Sequence, residues 1–340
     1  MRADTGLYAV PHEAAVPAGG SGVQMRLGEL KSFMESRLIG GATLVERLMV
    51  ALLAGGHLLV EGAPGLAKTR AVKLLSQGLH APFARIQCTP DLMPADLTGS
   101  SIFRPDKGTF EYVPGPIFHS LVLVDEINRA PPKVQSALLE AMAEHQVTAA
   151  GVTHVLPDPF MVVATQNPIE HEGTFPLPEA QLDRFMMKVD VRLPDATVER
   201  QILDLVEGET TGEASATAPV AAITGAEIAA ARAAAMATFL SPAVKDYIVR
   251  LVTAPREADA TSGLAGKVEH PASPRGTLAL AAAAKAKAYL SGRDHVVPGD
   301  VADLATDILS HRTMLTWRAL AEGHTARQLI AETLDRVQAA

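Results

Sequence analysis

The stretch "LLVEGAPGLAKTR", Leu58 to Arg70, decides how this chain is read. An apolar run passes into a turn built from Gly62, Ala63, Pro64 and Gly65, and the turn leads to Leu66, Ala67, Lys68, Thr69 and Arg70. A strand, a glycine-bearing turn and a helix start, in that order, make a cradle for phosphate. Glycine lets backbone N–H groups converge, and the new helix aims its positive end at the anion. In this reading Lys68 reaches the β- and γ-phosphates, and the Thr69 hydroxyl ligates Mg²⁺. The usual spacing asks for glycine where this chain has Ala67. Alanine there costs little if the residue keeps a negative φ. Taken alone, these residues could also be an ordinary turn between a strand and a helix.

A second segment narrows the choice. "LVLVDE", Leu121 to Glu126, is an apolar strand that ends in two carboxylates. Asp125 at such a tip would hold Mg²⁺ through water, and Glu126 would polarise an attacking water as general base. A third segment, "ATQNP", ends a further strand at Asn167, whose amide could orient that water or serve as a plain turn residue before proline.

Around these segments, short apolar runs alternate with helical stretches. "HLLVEG", "FARIQC", "LVLVDE", "FMVVATQN" and "MMKVDVRL" read as buried strands of a parallel sheet covered on both faces. "PPKVQSALLEAMAEHQ" reads as a helix between the third and fourth. The stretch "VEGETTGEASATAPV" reads as a polar linker, and after it only helices are expected. Ser241 and Ser273, each followed by proline, mark two helix starts, and Asp300 is expected to cap a third. The fold class is therefore α/β: a phosphate-binding parallel-sheet domain with a hairpin insert, followed by a small all-helical lid domain. The expected divisions are a flexible tail over 1–24, the α/β core over 25–195, a linker and first lid segment over 196–225, and the helical lid over 226–340.

Bulk properties exclude several classes. The 340 residues carry a net charge of −8 and a single cysteine, Cys88. An acidic chain does not coat nucleic acid or anionic membrane non-specifically. One cysteine forms no intrachain disulfide, which fits a reducing cytoplasmic setting. The longest apolar stretch, "LMVALLAGGHLLV", is shorter than a bilayer span and holds His57, and the N-terminus is broken by Pro11, Glu13 and Pro17, unlike a secretory signal. His119, His145 and His154 show no metal-ligand spacing.

From about Leu38 onward the chain resembles AAA+ ATPases and, within them, the MoxR group. The resemblance is carried by "GHLLVEGAPGLAKT", "IQCTPDLMPADLTG", "VLVDEINRAPPKVQSALLEAMAEHQVT", "ATQNPIEHEGTFPLPEAQLDRFMM", "SPRGTLAL" and "ILSHR", in that order. "GLAKT" is a usual form in that group. "LIGG" and His171 depart from its pattern, and the stretch between Thr253 and Ser273 matches it poorly.

The resemblance implies Mg²⁺-dependent ATP hydrolysis in a homo-oligomeric, hexameric ring. It implies that Arg184 in "LDRF" is an arginine finger for the neighbouring subunit's γ-phosphate. Arg275 in "SPRG" would be a sensor arginine moved by the lid, serving its own subunit or a neighbour. The segment Gly99 to Gly115 matches a hairpin that projects toward a ring's pore, where Phe103, Phe110 and Tyr112 would grip a partner or pack the hairpin on its own sheet. Arg129 would contact the next subunit. Chaperone-like maturation, activation or metal insertion is the implied work, on partners with von Willebrand factor A domains. The alternatives are a nucleic-acid motor, which only Arg104 and Lys107 on the hairpin would favour, and a chelatase-like cofactor-insertion motor.

Overall fold

The computed structural model describes residues 20–149, 151–167, 173–211, 222–256, 264 and 266–339. Helices α1 (Gly20–Arg37) and α2 (Ala42–Ala54) precede strand β1 (Leu58–Glu61). Helix α3 (Lys68–Leu79), strand β2 (Phe83–Gln87) and the short helix α4 (Pro94–Thr98) follow. Next come the hairpin β3 (Gly99–Arg104) and β4 (Thr109–Pro114), strand β5 (Leu121–Asp125) and helix α5 (Pro132–Glu144). A second hairpin, β6 (Gln146–Ala149) and β7 (Val152–Val155), leads to β8 (Met161–Gln166), the short α6 (Glu179–Leu182) and β9 (Met187–Asp190).

The C-terminal half contains α7 (Ala196–Thr211), α8 (Gly225–Ala237), α9 (Pro242–Thr253), β10 (Val268–His270), α10 (Pro274–Leu290) and α11 (Pro298–Leu309). It closes with β11 (Met314–Leu315), α12 (Trp317–Ala321) and α13 (Ala326–Arg336).

The main sheet runs β2-β5-β8-β1-β9, and every neighbouring pair is parallel. These are the strands expected from the apolar runs. Alternation along each strand divides the core in two. Leu58, Val60, Leu121, Leu123, Met161 and Val163 enter one cluster, while Leu59, Val122, Val124, Val162 and Ala164 enter the other. Helix α5 covers the second face through Val134, Leu138 and Met142. The first face shares a continuous core with α2, α3 and the C-terminal helices, including Leu280, Ala283, Leu304 and Ile308. The small side chains Ala283 and Ala284 are fully buried there, which lets α10 approach its neighbours closely.

Several local expectations need correction. Helix α1 begins at Gly20, inside the stretch read as tail, and residues 1–19 lie outside the described residues. Helix α7 continues to Thr211, so the first part of the supposed linker is helical, and 212–221 lie outside the described residues. Strands β10 and β11 pair antiparallel in the C-terminal half, where only helices were expected. They are too short to show a two-residue period. The β6–β7 hairpin was likewise not foreseen. Ser241 and Ser273 do cap their helices, accepting the N–H of Val244 at 3.3 Å and of Arg275 at 3.2 Å. Asp300 instead sits within the first turn of α11, where its carboxylate accepts the Val297 N–H at 3.0 Å.

Candidate active site

In a parallel sheet all carboxyl ends share one edge, and register sets which residues meet there. Here Glu61 stands beside Gln166, Val124 beside Ala164 and Gln87 beside Asp125. The turn after β1, the tip of β5 and the end of β8 therefore open on one cavity of about 580 Å³. Lys68, Thr69, Asp125, Glu126 and Asn167 all line it.

The turn is anchored at its start, where the Gly62 N–H donates to the Gln166 carbonyl at 3.2 Å. A Cβ on Gly62 would meet the Val191 carbonyl oxygen at 2.7 Å, so only glycine fits against that strand end. Gly65 has φ of +85° and Ala67 has φ of +53°. The expectation of a negative φ at Ala67 is overturned. A non-glycine residue in the left-handed region costs about 1–2 kcal/mol, and this strain sits at the entry to α3. The Lys68 ammonium donates to the Gly62 carbonyl at 2.6 Å, folded back over the turn. Partial burial pushes the Lys68 pKa down, while Asp125, Glu126 and Glu61 pull it up.

Asp125 is buried at 7% exposure. Its Oδ1 accepts the Thr165 hydroxyl at 3.0 Å, and its Oδ2 accepts Arg85 Nε at 2.7 Å. Glu126 has φ of +57°, a left-handed turn that carries its carboxylate off the strand line and toward the sheet edge. There its Oε2 accepts Gln87 Nε2 and Arg129 Nη1, each at 3.2 Å. Arg129, expected to face another subunit, is engaged within the chain. Cys88 follows β2, and burial, together with Asp125 and Glu126, pushes its thiol up to about 12, which leaves it unreactive.

Thr69 and Asp125 offer one hydroxyl and one carboxylate, hard oxygen donors suited to Mg²⁺. Among the described residues no group of three or more His, Cys, Asp or Glu side chains could hold a metal unaided. The set suits an ion that brings phosphate oxygens and water as its other ligands.

A second cavity of about 500 Å³ lies across the turn, and sequence reasoning missed it. Ile39, Gly40 and Gly41 form one wall, Val191 and Pro194 another, and Val198 and Ile202 of α7 close it. Gly65, Leu66, Ala67 and Arg70 line both cavities, so a molecule with a polyanionic end and a flat apolar end could span them. Arg70 Nη1 donates to Glu209 of α7 at 3.0 Å, and its Nε donates to the Arg37 carbonyl at 3.0 Å. The signal for this cavity was "LIGG", but its walls come from four separated segments.

Arg184 and Arg275 lie elsewhere: neither lines the cavity that holds Lys68 and Asp125. Arg184 is exposed and donates from Nη1 to the Leu139 carbonyl at 2.9 Å. The Arg275 side chain is 62% exposed and faces Asp183 at 3.4 Å. The two share one corner of the molecule.

On the β3–β4 hairpin the aromatic residues divide. Tyr112 stacks on His154 at 4.3 Å, while Phe103 and Phe110 pair at 5.3 Å and remain 50% and 74% exposed.

Comparison with known proteins agrees with the order of the two halves. Residues 57–187 match the ATPase family associated with various cellular activities (AAA), and residues 265–333 match the AAA lid domain. Chaperone MoxR1 of Mycobacterium tuberculosis is 42% identical over 337 residues, covering 98% of this chain and 88% of the relative. Protein MoxR of Methylorubrum extorquens is 32% identical over 291 residues, covering 82% and 84%. A crystal structure from Cytophaga hutchinsonii superposes with a TM-score of 0.85 at 39% identity, covering 95% of this chain and 97% of that one. No helix among the described residues is long and apolar enough to cross a membrane.

Proposed function

The chain belongs to the MoxR family of AAA+ ATPases, and from that premise we propose that it hydrolyses ATP with Mg²⁺ in a homo-oligomeric ring. The observation that carries this reading is the meeting of Lys68, Thr69, Asp125, Glu126 and Asn167 on one cavity while Arg184 and Arg275 stay outside it. A site with its base and its phosphate cradle in one subunit, but its finger arginine elsewhere, needs a second copy to be complete.

The triphosphate lies against the Gly62–Thr69 turn, and the adenine enters the apolar cavity under α7. Lys68 leaves the Gly62 carbonyl for the β- and γ-phosphate oxygens. Thr69 and Asp125 would hold Mg²⁺, which would supply positive charge against the phosphate groups. Arg85, which now faces Asp125, adds a second positive group on the same wall. Asn167 orients a water in line with the γ-phosphorus, and Glu126 takes its proton. Arg184 of the adjacent subunit meets the charge that develops on the transferring group, a contribution worth roughly 10³–10⁵ in rate in comparable sites. Arg275 shares Asp183 with the Arg184 corner, which supports its action on that same neighbouring site.

Motion of the helical half with nucleotide state would then be passed to a client. The relative named Chaperone MoxR1 supports chaperone-like work; we take that work to be maturation, activation or metal insertion of partner complexes, on partners with von Willebrand factor A domains. The test is complementation. Arg184→Ala and Lys68→Ala chains are each expected to be inactive alone and to recover turnover when mixed. No recovery at any ratio would remove the shared site.

A further inference from the structure

The "ILSHR" segment that closes α11 takes no part in either cavity, yet its final arginine is among the most heavily bonded side chains in the protein. Arg312 is buried, its side chain 3% exposed. Its guanidinium donates to Asp183 Oδ1 at 2.8 Å, to the Asp183 carbonyl at 3.1 Å and to the Phe185 carbonyl at 2.7 Å. It also donates to the Met186 carbonyl at 3.0 Å and to the Ile308 carbonyl at 2.6 Å in its own helix. His311, next to it, places Nε2 3.0 Å from the same Phe185 carbonyl.

Three of these four carbonyls belong to the residues on either side of Arg184. Asp183 precedes it, and Phe185 and Met186 follow it. That stretch joins α6 to β9 and gains no sheet pairing until Met187 stands beside Leu58. It is also tied to the sheet layer by the Met186 N–H, which donates to the His57 carbonyl at 2.8 Å, and by the Phe185 ring, which is buried in the core on the α5 face. A planar guanidinium presents its N–H groups in a fixed fork, so several acceptors held by one fork cannot rotate independently. Arg184 therefore has a fixed backbone and a surface side chain. The fork that fixes it comes from the helical half, and Arg275 and Ser273 of that half reach the other oxygen of Asp183 at 3.4 and 3.3 Å.

We propose that Arg312 is a positioning residue for Arg184, clamping the peptides around it to the end of α11 so that the helical half sets how Arg184 is presented to the neighbouring subunit. This rests on the reading of Arg184 as a group donated to a neighbour's γ-phosphate. It follows that displacement of the helical half in one subunit changes hydrolysis in the next, through Arg184.

The experiment uses full-length Arg312→Lys, which keeps the charge and loses the fork. Turnover, ATP affinity by a fluorescent nucleotide, and recovery on mixing with Lys68→Ala chains are measured together. Misplacing a catalytic group by about 1 Å costs up to roughly 10²-fold in rate, so kcat should fall roughly ten- to hundredfold with affinity unchanged. Mixing should restore it, because the Lys68→Ala chain offers an intact Arg184 to the intact cavity of the Arg312→Lys chain. A general loss of structure would not be repaired by a neighbour. If Arg184→Ala recovers with Lys68→Ala but Arg312→Lys does not, Arg312 serves its own subunit, and the inference falls while the shared site stands. If neither pair recovers, the shared site falls and takes the inference with it. Wild-type kcat in Arg312→Lys also overturns it. Should Arg312→Lys lack a cooperative melt, Asp183→Asn is read by the same outcomes beside Arg275→Ala, because Asp183 also faces Arg275 and only a loss beyond that of Arg275→Ala belongs to the Arg312 clamp.

Discussion

Thr165 donates its hydroxyl hydrogen to Asp125 Oδ1 at 3.0 Å, and the Thr165 Oγ1 itself accepts the Glu126 backbone N–H at 2.9 Å. One side chain of β8 thus ties together the two carboxylate residues at the tip of β5. The bond crosses strands, so it exists only because the register of the two strands sets them level.

Thr165→Val keeps the shape and removes the hydroxyl, leaving a buried carboxylate oxygen and a backbone N–H unmet. An expected loss of about 1–3 kcal/mol in stability follows, with a drop in turnover as Glu126 loses its fixed backbone. Urea unfolding and ATPase assays on Thr165→Val and Thr165→Ser check this. The serine variant should behave close to wild type, and damage in the serine variant with a normal valine variant would point to the methyl group instead.

Glu126→Gln should bind ATP normally and hydrolyse it roughly 10²–10⁴-fold more slowly, the usual contribution of a general base. The amide can still bond Gln87, so the wall of the cavity is kept. Single-turnover measurements separate binding from chemistry. Near-normal turnover would show that another group takes the proton.

Gly40 has φ of +74°, and a Cβ there would meet Val198 Cγ1 at 2.7 Å. Gly40→Ala should therefore strain the turn and push α7 off the apolar cavity. A left-handed alanine should lower stability by about 1–2 kcal/mol, and ATP affinity should fall in addition as α7 is displaced from the cavity. Binding of inorganic tripolyphosphate, which has no base, should not change. Titration calorimetry with both ligands decides whether the apolar cavity holds the adenine.

His57 is buried between Met142 and Val162, its Nε2 3.2 Å from one carbonyl and its Nδ1 accepting an N–H at 3.0 Å. Burial lowers its pKa to about 4, below the 6.5 of a free histidine. Between those values the unfolded chain binds a proton that the folded chain refuses. Stability is therefore complete above pH 6.5 and is lost as the pH falls toward 4. The full difference is of order 3 kcal/mol. Buried His311, also held well below its ordinary value, acts in the same direction. Urea midpoints should fall between pH 7 and pH 5, and His57→Gln should show a shallower slope over that interval.

Much of the molecule was legible before any tertiary contact was known. The strand runs, the helix capped by Ser241 and the phosphate turn are local patterns, and each is specified by residues within a few positions of one another. That Lys68, Thr69, Asp125, Glu126 and Asn167 line one cavity was legible because each closes a strand or opens a helix, and strand ends of a parallel sheet meet at one edge. Arg85, Gln87 and Thr165 were not found. They sit within or at the end of strands with no marking pattern, and they reach the carboxylates only through the cross-strand register. The apolar cavity escaped for the same reason, its walls being drawn from distant segments.

The sequence by itself determined the local pieces: a glycine-bearing turn between a strand and a helix, a pair of carboxylates at a strand tip, and a largely helical half that follows. Tertiary structure alone decided that Ala67 and Glu126 turn left-handed, that Arg184 and Arg275 stand apart from the cavity, and that Arg312 grips the peptides around Arg184. Backbone angles forced by packing, and bonds between residues more than a hundred positions apart, leave no periodic trace in a chain, because they are set by which surfaces meet after the elements have formed.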